Sequence, residues 1–302
     1  GMTHEEIAAR IHADEIDILV DLAGHAAGGA LPVLARRPAP VQMMGLGYTA
    51  TSGLSDVDYF LTDETCDPVD GASEPYFTEK LIRLPSQFVY VPRAGLPQPM
   101  GTPARRRGHI LFGVFNQYRK FTDEMLLCWR EILERVPRAQ LLIKSQIFFA
   151  EPMAEAARER LARLGVDVGR VLLEPATTDY MERYLDVDIA LDTYPWPGGG
   201  TTCDALYMGV PVVTRYGERR STRFSYALMT HVGLEGLATE TAADYVVCAV
   251  RLAQDLDALD ALHRELRGRM ERSAVMNQTD YMRALEHAYM NVLGCQNEGE
   301  RT

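Results

Sequence analysis

The residues best suited to chemistry in this chain run from Leu191 to Asp204, as Leu-Asp-Thr-Tyr-Pro-Trp-Pro-Gly-Gly-Gly-Thr-Thr-Cys-Asp. An apolar run of strand length ends at Asp192, the glycines Gly198, Gly199 and Gly200 let backbone come close to a ligand, and Thr201 and Thr202 open a helix. The first N–H groups of a helix have no acceptor within it and carry its positive dipole end, so this junction is a seat for an anion such as a phosphate. Asp204, one turn into that helix, is placed to accept hydrogen bonds from ribose hydroxyls. The same residues would equally make a flexible turn with Thr201 as an ordinary cap, and the loop alone does not choose between the two. A second group, Phe115-Asn116-Gln117-Tyr118-Arg119-Lys120, follows another strand of the same half. There Lys120 can neutralise a departing diphosphate and Gln117 can donate to one of its oxygens, although a solvated surface is the commoner fate of a lysine.

Other candidates are weaker. Asp56-Val57-Asp58 and Asp186-Val187-Asp188 have the D-x-D spacing of cation-binding sugar transferases. Each adjoins or enters a predicted strand, where capping and strand-end polarity account for it, so no metal is expected. The five cysteines, Cys66, Cys128, Cys203, Cys248 and Cys295, are odd in number and contain no C-x-x-C pair, which fits reduced thiols. None stands beside an evident base, and Cys203 reads as a small packing residue. The stretch Gly217-Glu218-Arg219-Arg220-Ser221-Thr222-Arg223 could hold negative charge near a cleft, but surface arginines beside Glu218 more commonly pair with solvent and neighbours. No G-x-G-x-x-G follows the first strand of either half, which argues against a dinucleotide oxidoreductase.

The elements that must position these groups alternate between strand-length apolar runs and longer segments of helical period, the pattern of a parallel sheet covered by helices. In the first hundred or so residues the predicted strands are 16–22, 41–46, 59–62 and 81–84. The stretch from Val91 to Gly108, with four prolines and three glycines, has no apolar period and reads as a linker. Beyond it come strand 110–115, helix 123–135, strand 140–144, helix 152–164, strand 170–174, helix 178–185, strand 188–192, helix 201–208 and strand 210–214, a doubly wound order. The last eighty or so residues read as helices, and the final one, 279–293, carries Tyr281, Met282, Leu285, Ala288, Tyr289 and Val292 on one face that needs a surface to cover.

With 302 residues, 47% of them hydrophobic, the chain can bury one large core or two moderate ones, and two domains are expected. A formal net charge of -11 disfavours nucleic acid and anionic lipid as partners. No apolar run approaches the roughly 20 residues of a membrane span and no signal pattern opens the chain, so a cytoplasmic protein is expected. Gly1 before Met2 reads as a residue left by expression.

Taken in order, the motifs resemble the catalytic region of the O-GlcNAc transferase and SPINDLY family of glycosyltransferases. They are Arg37-Pro38-Ala39-Pro40-Val41-Gln42, Leu46-Gly47-Tyr48 with Thr51-Ser52-Gly53 and Asp58-Tyr59, Phe115-Asn116-Gln117 with Lys120, and Trp129 through Val136-Pro137. Leu191-Asp192-Thr193, Thr201-Thr202-Cys203-Asp204, Met208 to Thr214, Gly217-Glu218 and Arg223 complete the series. The resemblance runs from about Asp17 to Leu293.

It implies an α/β, GT-B-like fold of two Rossmann-like halves, the N-terminal one incomplete, closed by a C-terminal helix. Residues 1–100 would form the partial acceptor-side half, 101–275 the nucleotide-sugar-binding half, and 276–302 the C-terminal helix and tail. The implied reaction is an inverting transfer without a metal or other cofactor: N-acetylglucosamine from UDP-GlcNAc to a protein Ser or Thr hydroxyl. The family also implies the site residues. Gln117 and Lys120 would contact the diphosphate, Thr201 and Thr202 would seat it beside the loop glycines Gly199 and Gly200, and Asp204 would contact the ribose. The segment Pro175-Ala176-Thr177 with Tyr180 and Arg183 would recognise the base. His25 would assist the acceptor or contact the sugar, and Tyr48 would lie on the acceptor or sugar side.

Several positions depart from animal O-GlcNAc transferases, which have lysine at the place of Thr177, histidine at that of Tyr180, and histidine where Gly200 precedes the paired threonines. Asp21-Leu22-Ala23-Gly24-His25 is closer to the SPINDLY branch, some of whose members use GDP-fucose. The alternatives are therefore a GDP-fucose-dependent O-fucosyltransferase or a shortened, non-catalytic nucleotide-binding homologue. Family members carry further strands and usually tetratricopeptide repeats upstream, so a fragment or a short form is expected. A sheet edge left open by the missing strands suggests a homo-oligomer.

Overall fold

The structure, a computed structural model, describes residues 1–299, with side chains described as far as Gly294. It divides into two compact units, one of Gly1–Val89 with Arg219–Ser221 and the chain from Ala274, the other of Tyr90–Glu218 with Thr222–Ser273.

The first unit runs α1 (His4–Ala13), β1 (Ile18–Asp21), α2 (Leu31–Leu34), β2 (Val41–Met44), β3 (Tyr59–Asp63) and β4 (Lys80–Leu84). Its strands form a parallel sheet in the order β1-β2-β3-β4. Helix α1 is not expected from the sequence, because Ala8 is its one buried residue and its apolar stripe is weak. Capping marks the start instead: Thr3 Oγ1 accepts from Glu6 N at 3.2 Å while the Glu6 carboxylate accepts from Thr3 N at 2.7 Å.

The second unit continues with α3 (Ala104–Arg107), β5 (Leu111–Val114), α4 (Asp123–Arg135), β6 (Gln140–Lys144), α5 (Glu151–Arg163), β7 (Val171–Glu174), α6 (Tyr180–Arg183), β8 (Ile189–Leu191), α7 (Gly200–Tyr207), β9 (Val212–Arg215), α8 (Arg220–His231, from Thr222 onward in this unit), β10 (Ala238–Thr239), α9 (Ala242–Gln254) and α10 (Leu256–Glu271). The strands make one parallel sheet ordered β10-β9-β8-β5-β6-β7. Residues of β5 and β6 are buried almost without interruption, as strands covered on both faces must be. Helix α4 shows how the helices are held. Thr122 caps it, Asp123 and Glu124 sit at its positive end, and Met125, Leu126, Trp129, Ile132 and Leu133 face the core.

The Pro- and Gly-rich stretch is not a free linker. Asp188, fully buried at the start of β8, accepts from Thr102 Oγ1 at 2.6 Å, Ala104 N at 2.7 Å and Leu111 N at 2.8 Å, and is paired with Arg107. Arg267 donates to Pro97 O at 2.7 Å. Polar bonds, which leave no apolar period, tie this stretch to the second unit. The helix read across 178–185 is shorter than expected, ending at Arg183 and continuing as a 3₁₀ turn over Tyr184–Asp186.

The last helix, α11 (Gln278–Gly299), finds its surface on the sheet of the first unit, where Val292, Tyr281, Leu285 and Tyr289 pack with Val41, Met43, Leu61 and Leu84. Met282, read on that face, is exposed. Cys66, Cys128, Cys203 and Cys248 are not joined in disulfides, the Cys66 thiol donating to Gln87 Oε1 at 3.3 Å, and Cys295 lies outside the described side chains. Among the described residues no helix is long and apolar enough to cross a membrane.

Candidate functional site

In the second unit the chain moves outward from β5 to β6 and β7, then returns to the other side of β5 with β8, β9 and β10. The switch point lies between β5 and β8, and in open parallel sheets ligands bind outside the carboxyl ends of the strands at that point. Asn116 follows β5 and Asp192 follows β8, both nearly fully buried. Asn116 Nδ2 donates to Asp192 Oδ1 at 2.8 Å and Thr193 Oγ1 at 2.6 Å, and its Oδ1 accepts from Thr201 Oγ1 at 2.8 Å. Asp192 Oδ1 also accepts from Thr193 N and Gly198 N, each at 2.8 Å, and Oδ2 from Thr214 Oγ1 at 2.8 Å. One carboxylate thus ties β8, β9, the glycine loop and, through Asn116, the end of β5 into a fixed frame.

That frame presents the N-terminus of α7. Its cap residue is Gly199, and no side chain caps it, so the helix dipole is open to a ligand. Lys120, in the turn after β5, donates from Nζ to Pro197 O at 2.8 Å and so lies against the same loop. Burial pulls its amine below the ordinary lysine range, the Asp192 carboxylate opposes this, and Arg119 adds to it. The Thr201 and Thr202 hydroxyls are not free. Thr201 is held by Asn116, and Thr202 shares a bond of 2.8 Å with Ser225, which in turn donates to Gly198 O at 3.0 Å. What the two threonines can offer an anion is therefore backbone N–H.

The three glycines differ in their surroundings. A Cβ at Gly198 would collide with the Thr202 hydroxyl and stand 2.6 Å from that of Thr201, and one at Gly199 would stand 2.7 Å from the Phe224 ring. At Gly200 a Cβ meets nothing within 4 Å. Gly198→Ala is expected to destabilise the fold by about 1–3 kcal/mol in urea unfolding. Gly200→Ala should leave the unfolding midpoint unchanged and act, if at all, on anion binding. Equal midpoints for the two variants would contradict this packing.

The remaining donor-side residues lie along the same sheet edge. Gln117 is exposed after β5 and Ala176 is half-buried after β7. Asp204, 9% exposed, accepts from Tyr90 at 2.7 Å on Oδ1 and from Tyr180 at 2.8 Å on Oδ2. Burial raises its carboxyl and the two phenol bonds pull it back. Tyr180 is pushed up to about 12, chiefly by burial. Arg183 is engaged rather than open: it binds Glu174 through Nε and a terminal nitrogen, at 3.1 and 2.7 Å, and Asp186 at 2.7 Å. The hydrogen bond from Arg183 holds the Glu174 carboxyl below its usual range. Lys144, almost fully buried at the end of β6, donates to Pro175 O at 2.9 Å and fixes the start of the segment that holds Ala176.

In the first unit, Asp21 ends β1 and accepts from Ala23 N at 3.2 Å and Gly24 N at 2.5 Å, turning the chain so that His25 is exposed. The His25 ring lies 5.1 Å from that of Tyr48, and a Cβ at Gly24 would press into the Tyr48 side chain. His25 Nε2 lies 3.0 Å from Ser52 O. Ser52 is in turn held by buried Glu79, which accepts from Ser52 N at 2.7 Å, from the Ser52 hydroxyl, and from Thr51 Oγ1 at 2.7 Å. Asp58 of the first D-x-D pair binds Arg37 and Gln42 N, and Asp188 of the second anchors the stretch before β5. Among the described residues no group of three or more His, Cys, Asp or Glu is arranged to hold a metal. Arg220, read as a surface residue, is buried against Asp67 at 2.9 Å and over the Phe60 ring.

Four polar residues of these two sites carry no role expected from the sequence: Asn116, Asp192, Tyr90 and Glu79. Asn116 and Asp192 stand inside the quoted motifs, at the carboxyl ends of neighbouring strands, and that position was the available signal. Tyr90 and Glu79 stand far in sequence from the residues they hold, so no local spacing marks them.

Two Rossmann-like units, one with an open helix terminus at its switch point, are the arrangement of the GT-B glycosyltransferases. The fold of sucrose-phosphate synthase from Thermosynechococcus elongatus matches with a TM-score of 0.62 at 11% identity, over 97% of this chain and 77% of that one. The Glycosyl transferase family 41 pattern matches residues 2–94 and 103–285, and the chain belongs to that family. A Thermobaculum terrenum O-GlcNAc transferase carrying the K341M substitution superposes with a TM-score of 0.86 at 34% identity, over 95% of this chain and 55% of that one. SPINDLY of Oryza sativa subsp. japonica, by name a probable UDP-N-acetylglucosamine–peptide N-acetylglucosaminyltransferase, is 39% identical over 97% of this chain. The chain spans 32% of the length of that relative.

Proposed function

We propose that this chain transfers N-acetylglucosamine from UDP-GlcNAc to a Ser or Thr hydroxyl of a protein. The observation that carries the reading is the uncapped N-terminus of α7 with Lys120 against the same loop, an anion seat at the switch point of the sheet. The names of the relatives support this donor: the rice protein, as a probable enzyme, and a Caenorhabditis elegans relative are named for transfer from UDP-N-acetylglucosamine to peptide. In the reaction the hydroxyl oxygen forms a bond to the anomeric carbon and gives up its proton to water, the bond to the diphosphate breaks, and its electron pair leaves with the diphosphate. Lys120 and the N–H groups of α7 stabilise that charge as it grows, while Asp204 holds the ribose. We assign the acceptor side to the first unit, on His25 and Tyr48.

A second reading, transfer of fucose from GDP-fucose, draws on the base segment, where Thr177 and Tyr180 stand in place of the lysine and histidine of animal O-GlcNAc transferases, and on Asp21 to His25, which is closer to the SPINDLY branch. Titration calorimetry with UDP and GDP separates the two. Tighter binding of UDP supports the first reading, tighter binding of GDP the second, and binding of neither overturns both. The reaction as proposed needs no metal, so turnover is expected to persist undiminished in excess chelator. Loss of turnover that a divalent cation restores would contradict it.

A further inference from the structure

We propose that Tyr90 is a specificity-determining residue of the donor site: by donating to Asp204 it fixes the carboxylate for recognition of a ribose diol, and so sets the preference for ribonucleotides over deoxyribonucleotides. The inference rests on the donor reading above and adds to it a residue outside the glycine loop and the base segment.

Asp204 is one turn into α7, and its two oxygens are bonded from different places, Oδ1 by Tyr90 and Oδ2 by Tyr180. An ionised carboxylate accepts about four hydrogen bonds. With one phenol on each oxygen, the carboxylate plane is fixed and one acceptor position remains on each oxygen. Two acceptors at that separation match two vicinal hydroxyls. The phenols also offset the cost of burying Asp204, whose carboxyl burial otherwise raises; without them the charged form that accepts from ribose would be less populated.

The two tyrosines differ in how they are held. Tyr180 stands on the short helix α6 and is half-buried, beside the base-recognition segment. Tyr90 lies against Tyr207, with ring centroids 6.0 Å apart, and the Arg267 guanidinium stacks on the other ring of that pair at 4.4 Å. Arg267 is itself fixed by Tyr207 O at 2.8 Å and Pro97 O at 2.7 Å. Tyr90 is therefore the anchored donor, braced by the ordered stretch that precedes β5, and Tyr180 is the donor carried by the short helix α6.

The test is calorimetry with a nucleoside diphosphate and its 2′-deoxy counterpart, UDP with 2′-deoxy-UDP and GDP with 2′-deoxy-GDP, on the unaltered chain and on Tyr90→Phe. The unaltered chain is expected to prefer the ribonucleotide by about tenfold, the worth of a hydrogen bond to a charged group. Tyr90→Phe should reduce that preference to about twofold or less while the 2′-deoxy affinity stays within about twofold. A purely structural role would instead weaken both nucleotides alike, and that result, or an unchanged preference, overturns the inference. Tyr180→Phe, measured in the same way, should also narrow the preference, and an unchanged preference in that variant counts against the triad even where Tyr90→Phe folds poorly. Binding of nucleotide without any ribose preference in the unaltered chain overturns this inference alone, whereas no nucleotide binding at all overturns the donor reading with it.

Discussion

Lys120→Ala is expected to lower kcat for sugar transfer at least tenfold, and by about 100-fold if the amine faces the departing diphosphate throughout the reaction. The argument is electrostatic. The Lys120 amine is half-buried against Pro197 O, in the same loop that leads to the open end of α7, so water does not fully screen it. Its cost of burial is offset in part by Asp192. Charge that grows on the diphosphate during bond breaking meets a cation already in place, with little reorganisation.

The pH dependence follows with a definite sign. Burial lowers the pKa of Lys120, so the amine loses its proton at a lower pH than an ordinary lysine. The charged form is the useful one, and turnover should fall as pH rises through that lowered value. In Lys120→Arg, whose guanidinium stays charged, the alkaline limb should move upward even if kcat is reduced. Unchanged kcat in Lys120→Ala, or an alkaline limb that stays put in an active Lys120→Arg, would remove Lys120 from this role.

Asp192→Ala should have the largest effect on the fold of the site. The carboxylate is 4% exposed and accepts from Asn116 Nδ2, Thr193 N, Gly198 N and Thr214 Oγ1. Removing it strands these donors in the interior, each with a desolvation penalty, and takes a counter-charge from Lys120. A loss of about 3–5 kcal/mol in urea unfolding is expected, together with at least a tenfold loss of nucleotide affinity under conditions where the variant remains folded. Asp192→Asn keeps one acceptor and the shape, so it should cost less in stability while still freeing the glycine loop. A change below about 1 kcal/mol in Asp192→Ala, with affinity retained, would show that this frame does not depend on the carboxylate.

Much of the second unit is legible in the chain because its signals are local. Helix 123–135 and strand 140–144 are read at the bounds they have, since a capped amphipathic run and a doubly buried strand each declare their own period. The helix opened by the glycine loop is also local, through the change from glycines to a regular apolar period. Helix α1 and the stretch before β5 escape such reading. One buries a single alanine, and the other is held by Asp188, which is separated from Thr102 by 86 positions.

The sequence by itself determined the alternation of strands and helices, the placement of Asp192, Gly198 to Thr202 and Lys120 after strands, and the family to which those motifs point. These depend on residue type at short spacing, where steric and hydrogen-bonding preferences act within one or two turns. Tertiary structure decided which polar atoms remain available. It took the hydroxyls of Thr201 and Thr202 and the guanidinium of Arg183 out of use, bringing in Asn116, Ser225 and Glu174 as their partners. It also set Tyr90 on Asp204 across 114 positions, buried Arg220, and laid α11 on the first sheet. The physical reason is common to all of these: a buried polar group must find a partner wherever the packed elements bring one, and that partner's distance in sequence carries no energy of its own.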